Sequence, residues 1–211
     1  MTLPFTKLTG AGNDFILIDN REERRTLQWD KIAQTLCDRH FGIGADGFLV
    51  LEDSAKADYR MNYYNADGST GGMCGNGARC AALYYFENEY DSNCAHFETL
   101  EHIYTAEESQ RSIKIQMRDV RYIPQKTEVQ MEKYILPVHF IDIGTSPHAI
   151  IFFEEMHHQF PAVLNISQLP VKIIGNAVRY YKDFLPHGAN VDFVQKKDST
   201  TIYLRTYERG V

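Results

Sequence analysis

An α+β fold with antiparallel sheet is what this 211-residue chain predicts, and three observations predict it. Strand-like runs dominate, helical stretches are few, and short motifs of the first half return faintly in the second half in the same order. Apolar or alternating runs rich in β-branched and aromatic residues mark strands at residues 15–19, 48–51, 58–64, 113–117, 135–143, 148–153, 191–194 and 201–207. Helical spacing predicts three helices. Over residues 29–38, Trp29, Ile32, Ala33, Leu36 and Cys37 share one face; over 171–181, Val171, Ile174, Val178 and Tyr181 do. Between them, residues 78–86 (ARCAALYYF) hold good helix formers with apolar residues on more than one face, so this helix is expected to be buried.

The polar stretch 118–130, with Pro124, is expected to cross between two units, giving domains 1–118 and 119–211. The echoes support this division. GAGNDFILI (10–18) is matched by GTSPHAIIF (144–152), GAD (44–46) by GAN (188–190), and YRMNYYNADG (59–68) by IYLRTYERG (202–210). In the first copy the turn leads within a few residues to Cys74 and a helix, whereas the second copy reaches Val211 just after its turn. The second domain is therefore expected to be incomplete, with a partner cysteine and helix lying beyond this chain.

The stretch 65–80, NADGSTGGMCGNGARC, carries the chemistry. It delivers Cys74 to a turn of Gly75, Asn76 and Gly77 that opens a helix with a permissive N-terminus. The first N–H groups of a helix have no partner within it, so they and the macrodipole favour an anion there, a thiolate or a bound carboxylate. An ordinary thiol, with a pKa of about 8.5, is only a few per cent ionised at neutral pH, and a helix end lowers that barrier by roughly 1 kcal/mol. An isolated intracellular cysteine is more often a small buried hydrophobe. Here the flanking glycines and the preceding NADG turn form a combination that packing alone does not require.

Composition narrows the function classes. A 44% apolar content can bury a real core, and 28 acidic against 22 basic residues give a net charge of -6 without a Lys/Arg cluster, which argues against a nucleic-acid partner. The N-terminus lacks a basic stretch followed by an apolar one, and no apolar run approaches the ~20 residues needed to span a bilayer. A cytoplasmic protein without a membrane partner is expected. The cysteines, Cys37, Cys74, Cys80 and Cys94, suggest no disulfide framework. Cys37 with His40 and Cys94 with His96 have zinc-binding side chains but lack the paired short spacing of a structural zinc site, so no metal is expected.

GAGNDF, DRHFGIGADG, NADGS, MCGNGARC, LPHGANVDFV and the terminal YERGV together resemble the diaminopimelate epimerase family along nearly the whole chain. The resemblance implies two similar domains, each a curved antiparallel sheet around a central helix, closing on an amino acid at their interface. It also implies stereoinversion by two thiols without a metal or pyridoxal phosphate, hence no cofactor, and a homodimer as the assembly. One thiol removes the α-proton from one face while the other protonates the opposite face. Cys74 matches one of them; the family carries the other in a CGTG segment just after ERGV, which has no match here.

By the same resemblance, Asn13, Asn65 and Asn190 hold substrate, Gly75 and Asn76 supply amides to its α-carboxylate, and Glu208 and Arg209 form a further substrate-contacting turn. Asn13 and Asn65 also suit ordinary turns, and Arg209 a solvated chain end. Ser146 stands where the family usually has Asn before a Pro-His pair, so that contact is expected to differ. The expected function is epimerisation between LL- and meso-diaminopimelate, with the chain as written inactive. The alternatives are a racemase or isomerase of the same fold acting on another amino acid, and a non-catalytic amino-acid-binding relative.

Overall fold

A computed structural model describes residues 2–89, 92–100, 102–110, 112–119, 123–142, 147–186 and 188–208. The chain forms two compact units, Met1–Asp119 and Val120–Val211.

Unit 1 contains β1 (Thr6–Gly10), β2 (Asn13–Asp19), α1 (Trp29–Cys37), β3 (Gly47–Glu52), β4 (Tyr59–Asn65), β5 (Thr70–Gly71), α2 (Gly75–Asn88), β6 (Cys94–Thr99), β7 (His102–Ser109) and β8 (Ser112–Gln116). Its sheet runs β1-β2-β3-β4-β6-β7-β8, with β5 a short branch on β4. Most neighbours are antiparallel; β2–β3 and β4–β6 are parallel, so the sheet is mixed. The runs FILI of β2 and FLVL of β3 are apolar on both faces because both faces are covered.

On one face Ile16, Ile18, Phe48 and Val50 pack against Trp29, Ala33 and Cys37 of α1. On the other, Phe15, Leu17, Leu49, Leu51, Met61 and Phe97 pack against α2 through Ala78, Cys80, Ala81, Ala82 and Phe86. Each large apolar side chain so buried contributes about 1.5–3 kcal/mol. α2 touches β1, β2, β3, β4, β7 and β8, which accounts for its apolar residues on several faces: the sheet curls around it. Small residues permit the close approach. A Cβ added to Gly10 on β1 would lie 2.9 Å from Cys80 Sγ and 3.0 Å from the Asn76 carbonyl oxygen.

Unit 2 contains β9 (Gln125–Met131), β10 (Tyr134–Asp142), β11 (Pro147–Phe152), a short helix α3 (Phe153–Met156), α4 (Val171–Arg179), β12 (Asn190–Lys196) and β13 (Ile202–Tyr207). Its sheet order is β13-β12-β11-β10-β9, antiparallel except for β11–β12. The stretch 118–130, expected to be a crossing, contributes most of β9 instead. This is an edge strand whose sequence QKTEVQM buries only Val129 fully, so it lacks the apolar alternation that marks a strand.

Both units run β-β-α-β-β through a parallel crossover, β1-β2-α1-β3-β4 in one and β10-β11-α4-β12-β13 in the other. The echoed glycine turns coincide in conformation: Gly44 has φ +80 and Gly188 φ +70. The flanking strands match one residue out of the register in which the sequence echo aligns them. Ile16, Ile18, Phe48 and Val50 face α1, and their counterparts facing α4 are Ala149, Ile151, Val191 and Phe193. A slip of one residue exchanges the faces of a strand, so burial decides the register where similarity cannot.

In unit 2 the sheet face opposite α4 is less covered among the described residues. Ile202 and Leu204 of β13 are exposed on it. Among the described residues no helix is long and apolar enough to cross a membrane.

Candidate functional site

The sheet face wrapped around α2 brings four of the expected site residues together. Cys74 caps α2 from an extended conformation, φ -110 and ψ 108, and its Sγ accepts the Gly77 N–H at 3.4 Å. The Ala78 N–H bonds to the Cys74 carbonyl at 2.8 Å, closing the first turn. Gly75 and Asn76 are the first two residues of the helix, whose N–H groups the helix itself does not use. The half-buried thiol therefore sits at the N-terminal end of a helix with the Gly77 N–H on its sulfur, where negative charge is stabilised.

Gly77 is small for a reason of space. A Cβ there would lie 3.2 Å from Leu49 Cδ2 and 3.5 Å from both Cys74 Sγ and Phe15 Cε1. At Gly75 the nearest atom to an added Cβ is Arg79 Nη1 at 3.7 Å, so that side of the turn is open.

Asn13, the first residue of β2, is held at both ends of its amide. Its Oδ1 accepts from Asn76 Nδ2 at 2.7 Å, and its Nδ2 donates to Asp46 Oδ2 at 3.1 Å. Arg79 donates to Asn76 Oδ1. The line Arg79–Asn76–Asn13–Asp46 thus starts at a cation and ends at a carboxylate, which fixes the direction of every amide along it.

Behind it, Arg39 bonds to Asp14 Oδ1 at 2.8 Å and Asp46 Oδ1 at 2.7 Å, while Lys7 pairs with Asp14 at 2.8 Å. Hydrogen bonding from Arg39, helped by Lys7 and the Asp46 backbone, holds the Asp14 carboxyl well below the usual carboxylate range against the opposing effect of burial.

Asn65 ends β4 and is engaged in its own turn. Its Oδ1 accepts from the Tyr63 hydroxyl at 2.9 Å, its Nδ2 donates to Ser69 Oγ at 2.9 Å, and the Gly68 N–H bonds to its carbonyl at 2.9 Å. This is the bonding of a residue that shapes the turn leading to Cys74.

Asn190 and Glu208 belong to unit 2, at adjoining ends of β12 and β13, beside the paired residues Val191 and Tyr207. Asn190 Oδ1 accepts from Arg179 Nη1 at 3.0 Å; Glu208 is exposed. Nearby, Asp192 bonds His148 Nδ1 at 2.7 Å and accepts the Thr206 hydroxyl at 2.8 Å. Arg209 and Ser146 lie outside the described residues.

Of the remaining thiols, burial pushes Cys37 and Cys80 up to about 11, whereas Cys94 is exposed. Cys37 belongs to the core under α1, as its helical spacing predicts. Among the described residues no group of three or more His, Cys, Asp or Glu side chains is placed to hold a metal ion.

Sequence reasoning did not single out Arg39, Asp46, Arg79 or Arg179. The first three fall inside motifs it quoted, DRHFGIGADG and MCGNGARC, and that was the available signal.

A sequence model of the family described as diaminopimelate epimerase matches residues 5–123. A diaminopimelate epimerase of Aquifex aeolicus is 34% identical over 220 aligned positions, covering 99% of this chain and 75% of that protein. One of Chlorobaculum tepidum is 38% identical, covering 97% and 74%. Among solved structures, a hydroxyproline epimerase from Agrobacterium vitis superposes with a TM-score of 0.63 at 10% identity, covering 96% of this chain and 69% of that one. A probable proline racemase from Agrobacterium radiobacter does so with a TM-score of 0.60 at 13% identity, covering 97% and 70%. These structural likenesses establish the α+β, two-domain fold. The sequence match, which takes in Cys74 and its helix, establishes descent: the chain belongs to the diaminopimelate epimerase family.

Proposed function

We propose that Cys74 is the proton-transfer group of an amino-acid site, exchanging the α-hydrogen of diaminopimelate. The observation that carries this reading is the thiol at the mouth of α2 with the Gly77 N–H on its sulfur. The substrate follows from the name of the relatives.

The chemistry is concrete. The N–H groups of Gly75 and Asn76 receive the substrate's α-carboxylate, and Cys74, as thiolate, takes the α-hydrogen. The charge that develops on the carboxylate as the C–H bond breaks is met by amides already in place, so their stabilisation grows toward the transition state. Asn13 sets the edge of this pocket. Asn190, Glu208 and Arg209 supply the substrate contacts of the second unit, and Asn65 holds the turn that presents Cys74.

Inversion needs a second proton donor on the opposite face of the α-carbon. Cys37 and Cys80 are buried thiols, and Cys94 opens a strand rather than a helix. We therefore assign to Cys74 exchange of the α-hydrogen from one face.

The test is to incubate LL-diaminopimelate with the protein in deuterated water and follow its α-proton signal by NMR. Loss of the signal is expected in the wild type, and Cys74→Ser should prevent it. Exchange that persists in Cys74→Ser would remove Cys74 from this role.

A further inference from the structure

We propose that Asp46 is a positioning residue of the amino-acid site: its carboxylate takes one hydrogen of the Asn13 amide and thereby offers the other to an acceptor oxygen of the substrate. This rests on the reading of Asn13 as a substrate contact and names what makes it one.

Asn13 opens β2 and Asp46 immediately precedes β3, so both stand at the start of the parallel pair in which Phe15 is matched with Gly47. Asn13 is joined to the helix mouth at Cys74 by Asn76, whose Nδ2 donates to Asn13 Oδ1 at 2.7 Å. Asn76 Oδ1 accepts from Arg79, a group that can only donate, so Asn76 turns its nitrogen toward Asn13. The oxygen of the Asn13 amide then faces Asn76, and its nitrogen faces Asp46 Oδ2 at 3.1 Å. An amide nitrogen carries two hydrogens. Asp46 takes one, and among the described residues the other has no partner.

Position 46 calls for two acceptor atoms. Oδ2 of Asp46 receives the Asn13 amide and the Asp14 N–H, the latter at 3.2 Å, while Oδ1 receives Arg39 at 2.7 Å. An asparagine there has one oxygen for donors on two sides. It must turn its own NH2 to the Arg39 guanidinium or to the Asn13 amide, donor against donor, and keeping Arg39 releases Asn13.

This aspartate does not turn an anionic substrate away. Lys7 and Arg39 match Asp14 and Asp46 charge for charge, through contacts of 2.8 Å from Lys7 to Asp14 and of 2.8 and 2.7 Å from Arg39 to Asp14 and Asp46. Arg79 adds a positive charge at the mouth itself, its Nη1 being the nearest atom, at 3.7 Å, to a Cβ added at Gly75.

The test is calorimetric titration with meso-diaminopimelate of the wild type, Asn13→Ala, Asp46→Asn and the double variant, with thermal unfolding of each. Asn13→Ala should weaken binding about tenfold, the loss expected for one hydrogen bond to a charged group, and Asp46→Asn about fivefold. In the Asn13→Ala background, Asp46→Asn should weaken binding no further, although it still lowers the unfolding temperature by loosening Arg39. A clasp that merely ties the starts of β2 and β3 together would cost the same affinity in both backgrounds, and that result overturns the proposal. Wild-type affinity in Asp46→Asn, or in Asn13→Ala, overturns it as well. If the wild type itself does not bind, the assignment of an amino-acid site at Cys74 falls and this proposal with it.

Discussion

Asn76 donates its side-chain amide to Asn13 Oδ1 at 2.7 Å, joining the second residue of α2 to the first residue of β2 across 63 positions of sequence. This bond ties the helix mouth that carries Cys74 to the rim of the sheet. A typical intramolecular hydrogen bond contributes about 0.5–1.5 kcal/mol, and this one lies in a line oriented by a cation and a carboxylate. A double-mutant cycle with Asn13→Ala and Asn76→Ala, measured by urea unfolding, is expected to give a coupling energy of about 1 kcal/mol. Strict additivity of the two substitutions would mean that the bond does not couple helix to sheet.

The four thiols should separate by reactivity. Burial pushes Cys37 and Cys80 up to about 11, so in the folded protein they are almost wholly protonated at pH 8, while Cys94 is exposed and Cys74 lies at an open turn. Brief treatment with iodoacetamide at pH 8 followed by peptide mapping is expected to label Cys94 and Cys74 and spare Cys37 and Cys80. Meso-diaminopimelate should slow labelling at Cys74 and leave Cys94 unchanged. Protection of both, or of neither, would contradict the placement of substrate beside Cys74.

The buried thiols also predict behaviour in alkali. A thiol whose pKa is raised in the folded state stabilises the fold below its unfolded value, near 9, and that contribution is lost as pH rises toward 11. Cys80→Ala leaves one such thiol instead of two, so its urea midpoint should fall less steeply than the wild type's between pH 9 and pH 11. Parallel curves would show that Cys80 does not titrate with unfolding.

Asp14 predicts the acid side. Its carboxyl is held low chiefly by the Arg39 hydrogen bond, so its stabilisation is present above the ordinary carboxylate pKa of about 4 and is lost as pH falls below it. Asp14→Asn should destabilise unit 1 at pH 7, and the gap from wild type should narrow at pH 3 and narrow further at pH 2. A gap that stays constant with pH would remove the Asp14 charge from the account.

Much of this was legible in local sequence, and the reason is local. The helix after Cys74 could be read because glycines and a turn precede an apolar stretch, and that stretch is apolar on several faces because a curled sheet surrounds it. The paired apolar runs of β2 and β3 were equally plain. The edge strand β9 was not, since one fully buried side chain leaves almost no pattern. The residues that orient the site amides were hidden for a different reason. Arg39 finds Asp14 25 positions away and Arg179 finds Asn190 11 positions away, and only the β-α-β crossovers bring these partners together. The register of the repeat was also out of reach, because its echoed strands share apolar character but not the side that is buried.

Two glycines on helices should respond oppositely to alanine. At Gly175 on α4 an added Cβ would meet Tyr207 Cβ and Cγ at 2.5 Å, side-chain atoms near the backbone of β13 that cannot swing clear. Helix and strand would have to separate, an overpacking cost of about 1–3 kcal/mol that outweighs the gain of roughly 1 kcal/mol in helix propensity. At Gly75 the nearest atom is the mobile end of Arg79 at 3.7 Å, so alanine gains the propensity without a clash and keeps the backbone N–H. Thermal unfolding should therefore place Gly175→Ala below the wild type and Gly75→Ala at or slightly above it. If Gly175→Ala proved as stable as Gly75→Ala, the close seating of α4 on Tyr207 would be refuted, and with it the packing that sets Arg179 behind Asn190.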